Sequence, residues 1–330
     1  MNAREVICIG EALIDSIVSQ TGSERRNFLG GAPANVASAL SKLKIKPSFI
    51  GNIGNDTFGT EFLHLFKKLD IDTTLLHIDR KYKTRIVEVA RDKDGDRSFI
   101  GFAKNKFDFY ADENLDSDWL KSNINFLKNM YSQAKFIITG TILLASTKSA
   151  ESIYYLLNLA EQFELKIVID LNWREVFWNK SSSLKLNERI DPIDKIMDFL
   201  SFADILKLSK EEADIFFKNK SPHQISRSFP KSPDVIITDG GDPILWYING
   251  FEGISDFKYP GKIIDTTGAG DAFLAGLVSQ ILYLKKTNTK SEIQKAVKFA
   301  SLCGFLTCQG EGAIEPQPFY ERVHESIDFL

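Results

Sequence analysis

Cysteine is scarce in this 330-residue sequence: there are three, Cys8, Cys303 and Cys308, and no Cys-x-x-Cys pair. An odd, sparse set excludes a secreted disulfide scaffold. The four histidines, His64, His77, His223 and His324, are scattered, so the spacing of a structural zinc site is missing too. There is no excess of positive charge, since 41 Lys and Arg stand against 44 Asp and Glu for a formal net charge of −3. A chain that binds nucleic acid by releasing counterions is usually basic, so nucleic acid is not expected as a partner. Long apolar runs are lacking as well. The longest, near Phe273–Leu284, is too short to span a bilayer, so no membrane partner is expected. The stretch Val6–Val18 is broken by Glu11 and Asp15 and has no small-residue cleavage site, so it reads as strand and turn rather than signal peptide. A cytoplasmic location is the expectation. Three catalytic signatures are absent: the Gly-x-x-x-x-Gly-Lys-Ser/Thr phosphate loop, a Gly-x-Gly-x-x-Gly after the first strand, and a Gly-x-Ser-x-Gly elbow.

What is present is an ordinary soluble composition, 43% hydrophobic and 26% charged, in a length that suits one large domain or two modest ones. Val6–Ile9, Phe49–Ile53, Phe136–Thr139, Lys166–Asp170, Ile205–Leu208 and Val235–Thr238 are short, nearly continuous apolar runs. Such runs suit strands buried on both faces. Helical patterns separate or follow them at Ala34–Leu43, Gly59–Leu69, Ser149–Phe163, Gly268–Leu284, Ser291–Leu306 and Pro318–Ile327. The alternation predicts a mostly parallel sheet with helices on both faces, a three-layer α/β/α sandwich. Asn179–Asn187 is polar and reads as a loop.

One region breaks this rhythm. Arg85–Ala90 and Arg97–Phe102 alternate polar and apolar residues around Asp92–Lys93–Asp94–Gly95–Asp96, the pattern of a hairpin with a charged turn. With the segment 14–29 it is expected to form a small β lid beside the main sheet, held by few apolar contacts.

The segment Asp265–Thr266–Thr267–Gly268–Ala269–Gly270–Asp271 opens a helical pattern. Small residues at a helix start leave backbone N–H groups uncovered, and those amides seat negative charge. Asp271, in the first turn, either caps the helix or takes a proton from a hydroxyl that attacks a phosphoryl group on the amides. A cap alone needs no Gly-Ala-Gly before it, which favours the second role. A second cluster, Gly30–Gly31–Ala32–Pro33–Ala34–Asn35, combines close backbone approach with a side chain that both donates and accepts, as a polyol requires. Glu11 and Asp15 follow the first strand, at the end where open α/β sheets bind ligands. A plain strand–turn–helix joint would account for this cluster equally well.

Together these segments resemble the ribokinase-like, PfkB-type carbohydrate kinases, and within them the fructokinases. The likeness runs through the whole chain. Gly30–Ala37 resembles the N-terminal signature of the family and Asp265–Phe273 its C-terminal one. Gly54–Gly59 is similar to the segment after the second core strand, and Asp94–Phe99 to the turn of the lid hairpin. Asp170–Leu171–Asn172–Trp173–Arg174, followed by Phe177–Trp178, is closer to fructokinases than to ribokinases.

The resemblance implies one kinase domain over 1–330, with a lid at about 14–29 and 85–102, that moves phosphate from ATP to the primary hydroxyl of D-fructose. Asp271 would be the base and the amides of Gly268, Ala269 and Gly270 the anion hole, with Arg174 near the transferred phosphate. Asp15, Gly30, Gly31 and Asn35 would bind the sugar. Lys207, Ser209 and Glu212 would line the nucleotide phosphates, Glu212 acting on Mg²⁺ through water, and Thr238 and Gly240 would lie beside the nucleotide. Asp265, Thr267 and Gly312 would hold a monovalent cation, usually K⁺, mainly through carbonyls. Lids in this family often pair, which implies a homodimer. Ser209 stands where ribokinases have Asn, against ribose as substrate. Pro243 replaces a glycine of the nucleotide-side turn, and Glu311 brings a charge close to that pocket. Another acceptor (2-keto-3-deoxygluconate, another sugar or a nucleoside) or a catalytically silent assembly subunit are the alternative readings.

Overall fold

A computed structural model of the protein describes residues 4–18, 25–91, 97–102, 109–178, 191–256, 258–283 and 289–327. The hairpin turn at Asp92–Asp96 and the loop at Asn179–Asn187 lie outside the described residues.

The strands are β1 (Val6–Ile9), β2 (Leu13–Val18), β3 (Arg25–Gly30), β4 (Pro47–Gly54), β5 (Leu76–Asp79), β6 (Ile86–Arg91), β7 (Arg97–Phe102), β8 (Phe136–Thr139), β9 (Lys166–Asp170), β10 (Ile205–Ser209), β11 (Asp234–Asp239), β12 (Asp242–Ile248) and β13 (Phe251–Ser255). Nine of them form one sheet in the order β13-β12-β11-β10-β9-β8-β1-β4-β5. From β11 to β5 every pairing is parallel, in register Val6↔Phe136, Val6↔Pro47 and Lys207↔Asp170. The pleat turns alternate residues of β1 to two separate cores. Val6 and Cys8 join one with Phe49, Phe62 and Phe66, while Ile7 and Ile9 join the other with Ile137 and Ile153. An apolar run without polar breaks is what two buried faces demand.

The helices are α1 (Ala32–Lys42), α2 (Thr57–Lys68), α3 (Ser117–Ser122), α4 (Ile124–Gln133), α5 (Thr147–Gln162), α6 (Pro192–Leu200), α7 (Lys210–Phe217), α8 (Pro222–Ser226), α9 (Ala269–Ile281), α10 (Lys290–Thr307) and α11 (Tyr320–Ile327). α1, α2, α9 and α10 contribute to the first core, and α4 to α8 to the second, which gives three layers. Among the described residues, no helix is long and apolar enough to cross a membrane. All three cysteines are free and buried, and burial raises each thiol pKa, so they act as packing groups.

The sequence reading stops the strand series at Thr238, but β12 and β13 extend the sheet as antiparallel strands. Pro243, in place of a glycine, is accommodated here. Gly240 takes φ 52° in the tight turn, and the ladder shifts register between Ile237 and Asp239, so the missing N–H falls at an irregular strand start.

The lid is a separate sheet in the order β3-β2-β6-β7, with β2 parallel to β6 and the outer pairs antiparallel. Its apolar anchoring exceeds the expectation, because Val87 and Val89 are buried. At its root Arg85 is buried too. Its Nε donates to Asp112 Oδ2 at 2.7 Å, and its guanidinium lies 4.9–5.2 Å from the rings of Phe102, Tyr110 and Phe177. Asp56 ties this root to the main sheet. It caps α2 through the Gly59 N–H at 2.9 Å, and also accepts from Thr84 N at 2.8 Å and Thr84 Oγ1 at 2.9 Å. Thr84 Oγ1 in turn accepts from Gly54 N at 3.0 Å. Removing this carboxylate frees a helix cap and the lid root together. We expect Asp56→Ala to lose about 1–2 kcal/mol in urea denaturation and to speed amide exchange in 84–91; unchanged exchange there would show that Asp56 does not anchor the lid.

Candidate active site

A cavity of about 460 Å³ lies between the lid and the carboxyl ends of the parallel strands. The chain runs from β1 toward β4 on one side and from β8 toward β11 on the other. The crevice between β1 and β8 is therefore the switch point, where strand-end loops part and leave room for a ligand.

Its floor is the start of α9. Gly268 is the N-cap at φ 72°, in the left-handed region, and a Cβ there would stand 2.7 Å from the Ala313 carbonyl oxygen. Among the described residues, no side chain caps this helix. Asp271 lies in the first turn without capping it; its Oδ2 accepts instead from Asn35 Nδ2 at 2.8 Å. Of the two roles open for Asp271, capping is thus not the one it plays. Burial, with repulsion from Asp170, raises its pKa to about 6, and Lys207, the Asn35 hydrogen bond and Arg174 hold it from rising further.

Strand register builds the next group. Asp170 ends β9 beside Lys207 of β10, and Lys207 Nζ donates to Asp170 Oδ2 at 2.8 Å, with both side chains buried. Lys207 is therefore no solvated strand-end lysine. Its Nζ stands 2.9 Å from where a Cβ on Gly270 would be, so the ammonium borders the uncapped amides. Burial disfavours that charge, but Asp170, Glu212 and Asp271 outweigh it and raise the pKa. Asp170 Oδ1 is buried with no hydrogen-bond partner among the described residues. Ser209 and Glu212 form a reciprocal cap on α7. Glu212 Oε2 accepts from Ser209 N at 2.7 Å, and Ser209 Oγ accepts from Glu212 N at 3.1 Å. Glu212 Oε1 also accepts from Trp173 N at 2.7 Å, which pins the loop after β9. Burial and Asp170 raise the Glu212 pKa against the pull of Lys207. Arg174 lines the cavity with an exposed side chain whose Nη1 donates to the Trp173 carbonyl at 2.7 Å.

Glu11, Asp15, Gly31 and Asn35 line the opposite wall. Gly31 takes φ 100°, and a Cβ there would meet the Glu11 carbonyl oxygen at 2.5 Å; one on Gly30 would meet Asp15 Oδ2 at 2.6 Å. Gly31 is thus required by backbone approach and its positive φ, while a side chain at Gly30 would displace the Asp15 carboxylate. Leu13, Val87, Val89, Ile142 and Phe177 give this wall an apolar side.

Asp265 gathers the third group. Its Oδ1 accepts from Thr267 N at 3.0 Å and Thr267 Oγ1 at 2.6 Å, and its Oδ2 from Gly312 N at 2.9 Å. Asp265, Thr267 and Gly312 thus meet through the Asp265 carboxylate. Thr238 and Gly240 stand apart from the cavity, at the end of the adjacent strand, where Thr238 pairs in register with Ser209. Glu311 forms an ion pair with Arg26 of β3 at 2.5 Å, so its charge is engaged by the lid.

Sequence reasoning placed Glu11 at the ligand-binding strand end and Asp170 and Asn172 in the fructokinase-like segment, but gave none of them a role of its own. Asp170 is a charge closing an otherwise apolar strand. Glu11 is buried, accepts from Ala32 N at 2.9 Å, and has its pKa raised to about 8 by burial. Asn172 lines the cavity at φ 45°, a backbone strain of the kind concentrated at functional sites. Among the described residues, no three or more His, Cys, Asp or Glu converge as a metal cage.

The chain has relatives among known proteins. The chain is 28% identical over 334 residues to probable fructokinase-6, chloroplastic, of Arabidopsis thaliana, covering 98% of this chain and 82% of that one. It is 30% identical over 330 residues to probable fructokinase-5 of the same plant, covering 96% and 95%. Among solved structures it superposes on fructokinase from Vibrio cholerae O395, in a fructose, ADP and calcium ion bound form, with a TM-score of 0.79 and 25% identity over 99% of both chains. The fold is shared with fructokinase from Xylella fastidiosa with bound ATP, at a TM-score of 0.84, 24% identity and 99% coverage of both. The sequence pattern of the pfkB family carbohydrate kinases matches residues 3–319, and the chain belongs to that family.

Proposed function

We propose that this sugar kinase transfers the γ-phosphoryl group of ATP to the primary hydroxyl of D-fructose, giving fructose 6-phosphate and ADP. The observation that carries the reading is Asp271, held by Asn35 beside uncapped helix amides and the Lys207 ammonium. The hydroxyl proton passes to Asp271 as the hydroxyl oxygen bonds to phosphorus and the bond to the β-phosphate oxygen breaks. The amides of Gly268, Ala269 and Gly270, with Lys207 and Arg174, neutralise charge on the moving group. Phosphoryl transfer asks little more of a protein than such positioning and charge stabilisation.

Asp15, Gly30, Gly31 and Asn35 hold the sugar, and the lid keeps out water, the competing acceptor. Ser209 and Glu212, with Thr238 and Gly240, flank the nucleotide. The unpartnered Asp170 Oδ1 and the neighbouring Glu212 suit a hydrated Mg²⁺, which keeps most of its waters and neutralises phosphate charge when bound. Asp265, Thr267 and Gly312, which meet through the Asp265 carboxylate, would hold K⁺ mainly through their carbonyls. Fructose as the acceptor is supported by the names of the relatives and by the mixed polar and apolar wall at Asp15.

The direct test is ADP release across a panel of sugars and nucleosides, with fructose expected to give the highest kcat/KM; ribose, 2-keto-3-deoxygluconate or a nucleoside in that place would replace the substrate. Asp271→Asn is expected to lower kcat by about 10²–10⁴. A base works only when deprotonated, so wild-type kcat/KM should rise with pH through about 6 and level off above it. A raised pKa in the folded state also means that the ionised carboxylate opposes folding above that pH. Asp271→Asn should therefore melt no lower than wild type at pH 7, and near-normal kcat in the variant would remove Asp271 as the base. Asp15→Ala is expected to raise the sugar KM by roughly tenfold with little change in the KM for ATP; equal effects on both would move Asp15 out of the sugar site.

A further inference from the structure

Lys42 ends α1 and is 7% exposed. Its Nζ faces main-chain carbonyls rather than a carboxylate, donating to those of Ile314, Glu315 and Gln317 at 2.5, 3.2 and 3.2 Å. Three donors meet three acceptors, so the ammonium is fully satisfied. The exposed ring of Phe319 lies 5.4 Å from Nζ, so the cage sits just beneath the surface. Burial lowers the pKa to about 8, against the attraction of Glu315, and at neutral pH the cage holds a charge.

The segment it gathers leads to the amide seat. Gly312 and Ala313 immediately precede the caged residues. Gly312 N is held by Asp265, and Ala313 packs against Gly268, the N-cap of α9. Gln317 Nε2 adds a second tie to α1, donating to the Asn35 carbonyl at 3.0 Å. Asn35 and Lys42 lie two turns apart on one face of that helix. One end of α1 thus holds the base Asp271, and the other holds the chain that backs the amides.

We infer that Lys42 is a positioning residue for phosphoryl transfer: its ammonium is a built-in cation that gathers the carbonyls of 314–317 and holds Gly312–Ala313 against the start of α9. The inference rests on the reading of that helix start as the anion seat. None of the roles drawn above for Lys207 or Arg174 extends to it.

Two variants of the full chain test it, assayed with KCl held constant. Lys42→Met keeps the stem and removes the charge. It is expected to fold, to lower kcat by roughly ten- to a hundredfold with sugar KM within about twofold, and to speed amide exchange in 268–272 and 312–317. Lys42→Ala removes the stem as well, and n-propylammonium is expected to restore part of its kcat and its exchange protection. Tetramethylammonium at equal ionic strength should not. Lys42→Arg should keep most of kcat. Unchanged exchange in Lys42→Met overturns the inference, as does a loss of kcat that follows thermal stability alone, is equal in Lys42→Arg and is not restored by the amine. If the wild-type chain phosphorylates nothing in the panel, the kinase reading fails, while the exchange measurements still decide whether Lys42 orders the helix start.

Discussion

The site depends on keeping charge out of water at the ends of parallel strands. Asp170 and Lys207 sit side by side in register, both buried, with Glu212 and Asp271 sharing the same field. Such a pair is not a source of stability, because stripping water from two ions costs about as much as their attraction returns. What it supplies is a fixed ammonium beside uncapped helix amides. An isolated lysine there would tend to lose its proton, and without the lysine Glu212 and Asp271 would take one up more readily. Held together, they keep Lys207 charged and leave Asp271 with a pKa near 6, suited to exchanging protons near neutral pH.

Around this pair the two sheets divide the work. The large sheet is covered on both faces and supplies rigid strand ends. The lid is tied at its root by Asp56 and by the buried Arg85–Asp112 pair, and its valines close one wall of the cavity. β3 reaches across to the far side, where Arg26 pairs with Glu311 and the Phe28 ring packs on Gly312. The lid thus touches the same turn that Asp265 and the segment caged by Lys42 support. The lid and the start of α9 share one mechanical element, the chain at 311–317.

Much of this was legible in the linear chain because the signals are local. Nearly continuous apolar runs marked six parallel strands, and Gly-Ala-Gly marked an uncapped helix start. The alternating hairpin marked a sheet that does not belong to the parallel core. β12 and β13 escaped because Pro243 and the glycines before it read as a loop, whereas a register shift lets a proline begin a strand there. The apolar anchoring of the lid was underestimated because alternation tells which residues share a face, not what that face meets.

The amino-acid order by itself determined the layer architecture, the lid hairpin and the two glycine clusters, since propensity, periodicity and turn chemistry act over a few residues. Only the tertiary structure decided that Asn35 binds Asp271, 236 positions away, that Asp170 lies against Lys207, and that Lys42 is caged by carbonyls 272 to 275 positions on. Those contacts follow from strand order and register. One chain segment carries no local trace of the partner that topology will bring to it.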